Sequence, residues 1–231
     1  MKRIYRTLAC VATLGVALAQ VPEEPKPDEL KKEDKHILGI IPNYKTVPLA
    51  TDKYVPLTTK EKFKLATNDS FDPFVIPIIG MYAGISHLQN QNPSWGQGSK
   101  GYLKRYGAAF VDSTDANYMT EAIFPALLRQ DPRYFRKGEG GAAKRIAYSM
   151  TRVLITRTDS GGSMLNLSEL GGNFTAGAIS NLYYPQEARN IWATTRRGVQ
   201  QTMYDSIFNI LKEYWPDLRQ KFLKGKSRAG S

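Results

Sequence analysis

The chain has one cysteine and two histidines in 231 residues, and it carries no internal repeat. Each shortage closes off a class of chemistry. Cys10 falls inside the leader described below, so the mature chain is left without a thiol, and disulfides and thiol catalysis drop out together. His36 and His87 are isolated, and with scattered carboxylates they do not make a metal-ligating set. No metal or cofactor is expected. No Gly-rich segment leads into Lys-Ser or Lys-Thr, which argues against a phosphate-binding loop. Alternating polar and apolar runs do not extend beyond a few positions, which argues against a sheet protein.

What is present begins with residues 1–19, MKRIYRTLACVATLGVALA. Lys2, Arg3 and Arg6 precede an apolar run that ends in Ala17-Leu18-Ala19, the pattern of a secretory signal peptide cleaved after Ala19. The formal net charge is +11, and losing three leader charges leaves +8. For an exported protein of the periplasm, the outer membrane or the exterior, that balance fits anionic lipid, lipopolysaccharide or wall polymer as partner, and not nucleic acid. Oligomeric state is not encoded in any recognisable pattern.

Residues 20–57 are rich in proline and charge, and they read as a disordered tether followed by an extended arm anchored by Ile40, Ile41 and Val47. Helical signals then take over. Thr58 and Glu61 have capping-box spacing, and Asp72 with Pro73 opens an apolar helix to Leu88. Steps of three and four from Leu103 to Leu127 predict two helical runs, continuous or nearly so. Residues 142–157 place Ile146, Ala147, Met150 and Val153 on one side of a helix, with Arg145 and Arg152 on the other. Residues 165–184 contain one charge, Glu169, and repeat small residues at Gly172, Ala176 and Ser180, the pattern of a buried central helix. Beyond Pro185, Ile191, Trp192, Val199, Met203 and Ile207 mark one long amphipathic helix, with Pro216 as its expected end. The fold class is therefore an all-α, single-domain helical bundle over residues 58–218, with a basic tail at 219–231. Gly80, Gly84, Gly107 and Gly172 are expected to be sites of close helix contact.

Asp159-Ser160-Gly161-Gly162 matches the nucleophile segment of trypsin-like proteases over four residues only. A serine nucleophile needs a base and oxyanion donors, and neither histidine sits in a suitable context. The string is expected to be a loop between two helices, with Arg157 paired to Asp159 or another buried acid. Glu121, Asp159 and Glu169 are the weak catalytic candidates, because a carboxylate pair could serve acid–base hydrolysis of a wall polysaccharide. As salt-bridge partners they point to Arg129, Arg145 or Arg157. A basic and aromatic surface is expected from Arg129, Arg133, Tyr134, Phe135, Arg136, Lys137, Lys144 and Arg145, where cations would meet an anionic surface and the rings would sit at its interface.

The strings DPRYF, TRTDSGG, ISNLYYP and KEYWPD together resemble a family of exported bacterial helical proteins without an assigned reaction. The resemblance spans about Thr58 to Leu218 and implies export and one helical domain. It carries over no catalytic residue. The expected function is a non-catalytic cell-envelope protein held against an anionic surface. Two alternatives are an envelope hydrolase built on the three acids and an integral membrane protein using Phe74–Leu88 and Met164–Tyr184. The mean hydropathy of −0.40 speaks against the last.

Overall fold

The computed structural model of the chain describes residues 35–47 and 54–229, with side chains described up to 220. The expected signal peptide, with Cys10, and the charged tether up to residue 34 lie outside the described residues, as does the side-chain content of most of the basic tail.

The first helix, α1 (Thr59–Ser70), starts where the sequence places it. Glu61 N–H donates to Thr58 Oγ1 at 3.3 Å and Thr58 N–H donates to Glu61 Oε2 at 2.8 Å, so two otherwise free amide donors are satisfied reciprocally. Helix α2 (Val75–Leu88) begins two residues beyond Pro73, with Phe74 N–H donating to Asp72 Oδ1 at 2.9 Å. Helix α3 (Gly98–Asn117) runs through a π-helical turn (Tyr118–Ile123) into α4 (Phe124–Leu128), so the two expected helical runs form one rod. Arg129, at φ 53°, ends it in the left-handed region. Helices α5 (Ala142–Thr151), α6 (Leu167–Ile179) and α7 (Ile191–Ala229) complete the helical set. The main packings pair α2 with α3, α6 with α7, α5 with α7, and α1 and α6 with the π turn.

The chain is 66% helical and 9% strand, so it is mostly helical and not strictly all-α. Strands β1 (His36–Ile37) and β2 (Ile41–Pro42) pair antiparallel, and β3 (Thr46–Val47) pairs parallel with β5 (Tyr134–Phe135). A third sheet orders β4 (Gln130–Asp131), β6 (Ile155–Thr158) and β7 (Ser163–Leu165) as β4-β6-β7. Two helix limits are corrected by these contacts. The helix expected to reach Arg157 stops at Thr151, because Ile155, Thr156 and Thr158 are β-branched and find ladder partners on both sides. Asp159–Gly162 is therefore a hairpin tip with Gly161 at φ 90°, not a loop between helices. Pro216 does not end α7. In the turn before it, Glu213 O accepts from Arg136 Nε and Arg145 Nη2, each at 2.8 Å.

The larger correction concerns which faces are buried. On α5, Arg145 and Ser149 are buried while Ile146 and Met150 are exposed. On α7, Ala193, Thr194, Lys212 and Glu213 are buried, whereas Trp192 is 81% and Ile191 72% exposed. The expected apolar stripes are real, but they face outward. The largest fully buried side chains include Arg105, Lys62, Gln130, Glu121, Glu213, Asn173 and Asp131, with Ile37 and Pro125 the apolar members of that group. Alanines fill much of the remaining interior. Ile37, not Ile40, anchors the N-terminal arm, and His36 is not free in a tether: its Nε2 lies 2.7 Å from Asp72 Oδ2.

Buried charge on this scale is costly unless it is paired, and two of the buried acids are well supplied with donors. Glu213 accepts from Tyr134 Oη (2.7 Å), Lys137 N–H (3.0 Å), Gly138 N–H (2.9 Å) and Arg145 Nε (2.8 Å). Asp131 accepts from Arg133 and Tyr54. Small residues permit the close approaches between these polar elements. A Cβ on Gly172 would stand 2.8 Å from Thr120 Cγ2 and 3.0 Å from the backbone of the π turn, so that expected contact is present. Gly84 and Gly107 meet nothing within 4 Å, and Gly80 only an ordinary contact.

Candidate functional site

The buried charges converge where the N-terminal arm, α1, the π turn, α6 and α7 meet. Lys45, just before β3, enters from the arm and places Nζ 2.7 Å from Glu121 Oε1. Glu121 belongs to the π turn, an element whose extra residue redirects side chains and is frequent at functional sites. Asp69 of α1 faces Glu121, carboxyl to carboxyl, and each acts on the other's charge. Glu169 of α6 does the same with Asp205 of α7, and Lys212 lies two turns beyond Asp205 on that helix. Asn173 Nδ2 donates to Glu169 Oε1 at 3.0 Å.

Four carboxyl groups thus face two ammonium groups in a water-poor interior. Charge neutrality is reached when each carboxyl pair keeps one proton. The titration directions agree. Burial, then the neighbouring Asp69, pushes Glu121 up to about 8. Burial and Asp205 raise Glu169, and burial raises Asp69. Burial opposes the charge on Lys45, yet Glu121, Asp69, Asp205 and Glu169 together hold it above the ordinary lysine range. Lys212 is pulled down to about 8 by burial and by Lys45.

A cavity of about 80 Å³ opens onto the Glu169–Asp205–Lys212 side of this network. Its walls include Phe135, Tyr148, Arg133, Arg152 and Arg157 from the strands and α5. The Arg157 guanidinium stacks on Phe135 at 4.3 Å and on Tyr54 at 4.9 Å from the ring centroids, and that of Arg152 on Tyr148 at 4.5 Å. A second, more apolar groove of about 230 Å³ separates α2 from α7, with Tyr82, Asp112, Ala176 and Tyr204 among its walls.

Of the three acids singled out in the sequence, Glu121 and Glu169 enter one network, and Asp159 does not. Asp159 instead accepts both 2.7 Å and 2.9 Å hydrogen bonds from Lys62 Nζ, so its partner is a lysine of α1 and not Arg157. Glu121 is 1% exposed, and only Glu169 borders the cavity, so no two of the three acids face one open cleft. Ser160 lies exposed at the hairpin tip with its Oγ 2.9 Å from Thr158 Oγ1, and the histidines are engaged elsewhere, His87 beside Arg105 and His36 on Asp72.

The basic stretch is also taken apart. Arg133 binds Asp131, Arg136 and Arg145 bind Asp217, and Tyr134 is buried on Glu213. Phe135 stacks between Arg133 and Arg157, and Lys137 lies over Tyr148. Arg129 and Lys144 remain exposed. Lys45, Asp69, Asp205 and Lys212 went unnoticed in the sequence. One signal was available: Asp205 and Lys212 are seven apart, on the flank of α7 opposite its apolar stripe.

No protein-family model, curated protein or solved structure matches the chain.

Proposed function

We propose that the protein is a non-catalytic, exported cell-envelope protein that seats one apolar flank in a membrane leaflet. The observation that carries this reading is the inverted burial. Ile85 and Met81 of α2 and Trp192, Val199, Met203 and Ile207 of α7 are exposed on helices that flank the apolar groove, while the interior is ionic. An exposed apolar surface this extensive is costly in water and stabilising in lipid. Trp192 and Tyr204 have the amphipathic rings favoured at the headgroup boundary.

The seat is a partial insertion. Among the described residues no single helix is long and apolar enough to cross a membrane, and α1 with α2, which pass together by length and composition, are bent by 56°. Fourteen residues of α2 rise about 21 Å, short of the roughly 30 Å hydrocarbon core. Arg129 and Lys144 supply exposed cations for anionic headgroups, and the paired arginines do not. The resemblance to exported bacterial helical proteins and the residue 1–19 leader support placement in the envelope.

Vesicle flotation tests the reading. The protein should float with anionic vesicles, stay bound in about 1 M salt, where the screening length is only about 3 Å, and come off in detergent. Ile85→Asp combined with Trp192→Asp should abolish flotation with helicity unchanged. A protein that stays monomeric and unbound without detergent overturns the reading. So does self-association that covers the same flank, because the occupant is then a second copy and not lipid.

A further inference from the structure

We infer that the cavity between the β4-β6-β7 sheet and α7 is a binding site for a phosphoryl group. The inference is independent of the membrane seat and begins with Lys212. Its side chain is more than nine-tenths buried and borders the cavity, and the acids that act on its charge, Asp69, Asp205 and Glu121, make no direct hydrogen bond or ion pair with it among the described residues. A lysine held so far from water without an acceptor is an incomplete arrangement.

Two half-buried arginines also lack an acceptor. Arg157 makes no ion pair among the described residues, and its guanidinium plane is fixed between Phe135 and Tyr54. Arg152 stacks on Tyr148, and its buried Nε has no hydrogen-bond partner. Stacking sets the direction of each guanidinium but leaves its donors unspent. Three cations therefore face one cavity without acceptors of their own.

The other charges there are already balanced. Lys45 sits on Glu121 and Arg133 on Asp131, and the charge of Lys212 is met at longer range by Asp69, Asp205 and Glu121. The excess charge on the lining is that of Arg152 and Arg157, which have no ion pair among the described residues. The lining's donors match an oxyanion with several acceptor oxygens, and guanidinium forks favour phosphate geometry. The cavity of about 80 Å³ has room for a phosphoryl group. Inorganic phosphate, a small phosphate monoester and a lipid headgroup phosphate share this chemistry.

Titration calorimetry on the full chain in neutral detergent tests the site, with ionic strength held constant by chloride. Inorganic phosphate should bind at one equivalent per chain, and acetate more weakly. Lys212→Met and Arg157→Gln should each weaken phosphate binding by about tenfold or more, the scale of one charge-assisted hydrogen bond. Arg157→Gln alters a half-buried side chain without an ion pair among the described residues, so its melting temperature should stay at the wild-type value and its lost binding cannot be read as lost fold. Glycerol phosphate and a short-chain phosphatidic acid identify the source. Tighter binding of the lipid by about tenfold assigns a headgroup, and equal affinity assigns a soluble ester. Phosphate heats no larger than those of chloride, or affinity unchanged in Lys212→Met, overturn the assignment. The measurement involves no vesicles, so failure of the membrane seat leaves it intact.

Discussion

Lys45 Nζ and Glu121 Oε1 stand 2.7 Å apart, joining an N-terminal arm that belongs to no helix to the π turn at the middle of the helical rod. That one contact ties the arm to the core and introduces the cation around which the carboxyl pairs arrange. It also makes stability respond to pH in an unusual direction.

Glu121 has an ordinary value of 4.5 and is pushed up to about 8. Between those values the folded protein holds a proton that the unfolded chain has released, so this contribution is fully present below about 4.5 and is lost as pH rises toward 8. Glu169 and Asp69 act in the same sense. Asp72, Glu213 and Asp217 are lowered, and their contribution fails only in acid below the ordinary carboxylate range. The urea midpoint should therefore be higher at pH 5 than at pH 8, and Glu121→Gln should flatten the slope by up to about 1 kcal/mol per pH unit. A midpoint that climbs from pH 5 to pH 8 contradicts the proton-sharing arrangement.

Arg145 and Ile146 are neighbours on α5 whose burial is opposite to their chemistry. Arg145→Ala strands Glu213, a carboxylate with no exposure, and should destabilise by about 3–5 kcal/mol. Ile146→Ser, on the outer face, should change stability by no more than about 0.5 kcal/mol. Denaturation in detergent reads both. A conventional amphipathic helix would give the reverse ranking.

Labelling by a fluorophosphonate should be absent at Ser160. The hydroxyl bonds Thr158 at an exposed tip, and no imidazole is placed to take its proton. Stoichiometric labelling that vanishes in Ser160→Ala would overturn the turn assignment.

The helices were legible because their signals are local. Thr58 and Glu61 are three residues apart, and the i, i+3, i+4 recurrence along α7 is genuine. The inward direction was not legible, because periodicity identifies a stripe without saying what it faces. Trp192 and Ile207 fix the stripe; only the burial of Lys212 and Glu213 reveals that the opposite flank is interior. The strands escaped for a related reason. Pairs such as Thr46 with Tyr134 join segments far apart in sequence, with too few residues to alternate. In the site, Glu121 and Glu169 were visible as isolated charges in apolar surroundings. Lys45 was hidden in an arm read as extended and anchored by apolar residues, and its role follows from the parallel pairing of β3 with β5.

Gly172 offers the cleanest test of the packing that surrounds this network. An added Cβ would lie 2.8 Å from Thr120 Cγ2 and 3.0 Å from Met119 C and Thr120 N, and backbone in a π turn has little freedom to withdraw. Gly172→Ala should therefore destabilise by about 1–3 kcal/mol, the scale of overpacking at a tight contact. Gly84 is the control within the same fold: it is helical, meets nothing within 4 Å, and Gly84→Ala should stabilise by about 0.5–1 kcal/mol because alanine restricts the unfolded chain. Urea midpoints of the two variants should move in opposite directions. If Gly172→Ala matches wild type, α6 does not pack on the π turn at this distance, and the route by which Glu169 reaches the network beside Glu121 fails with it.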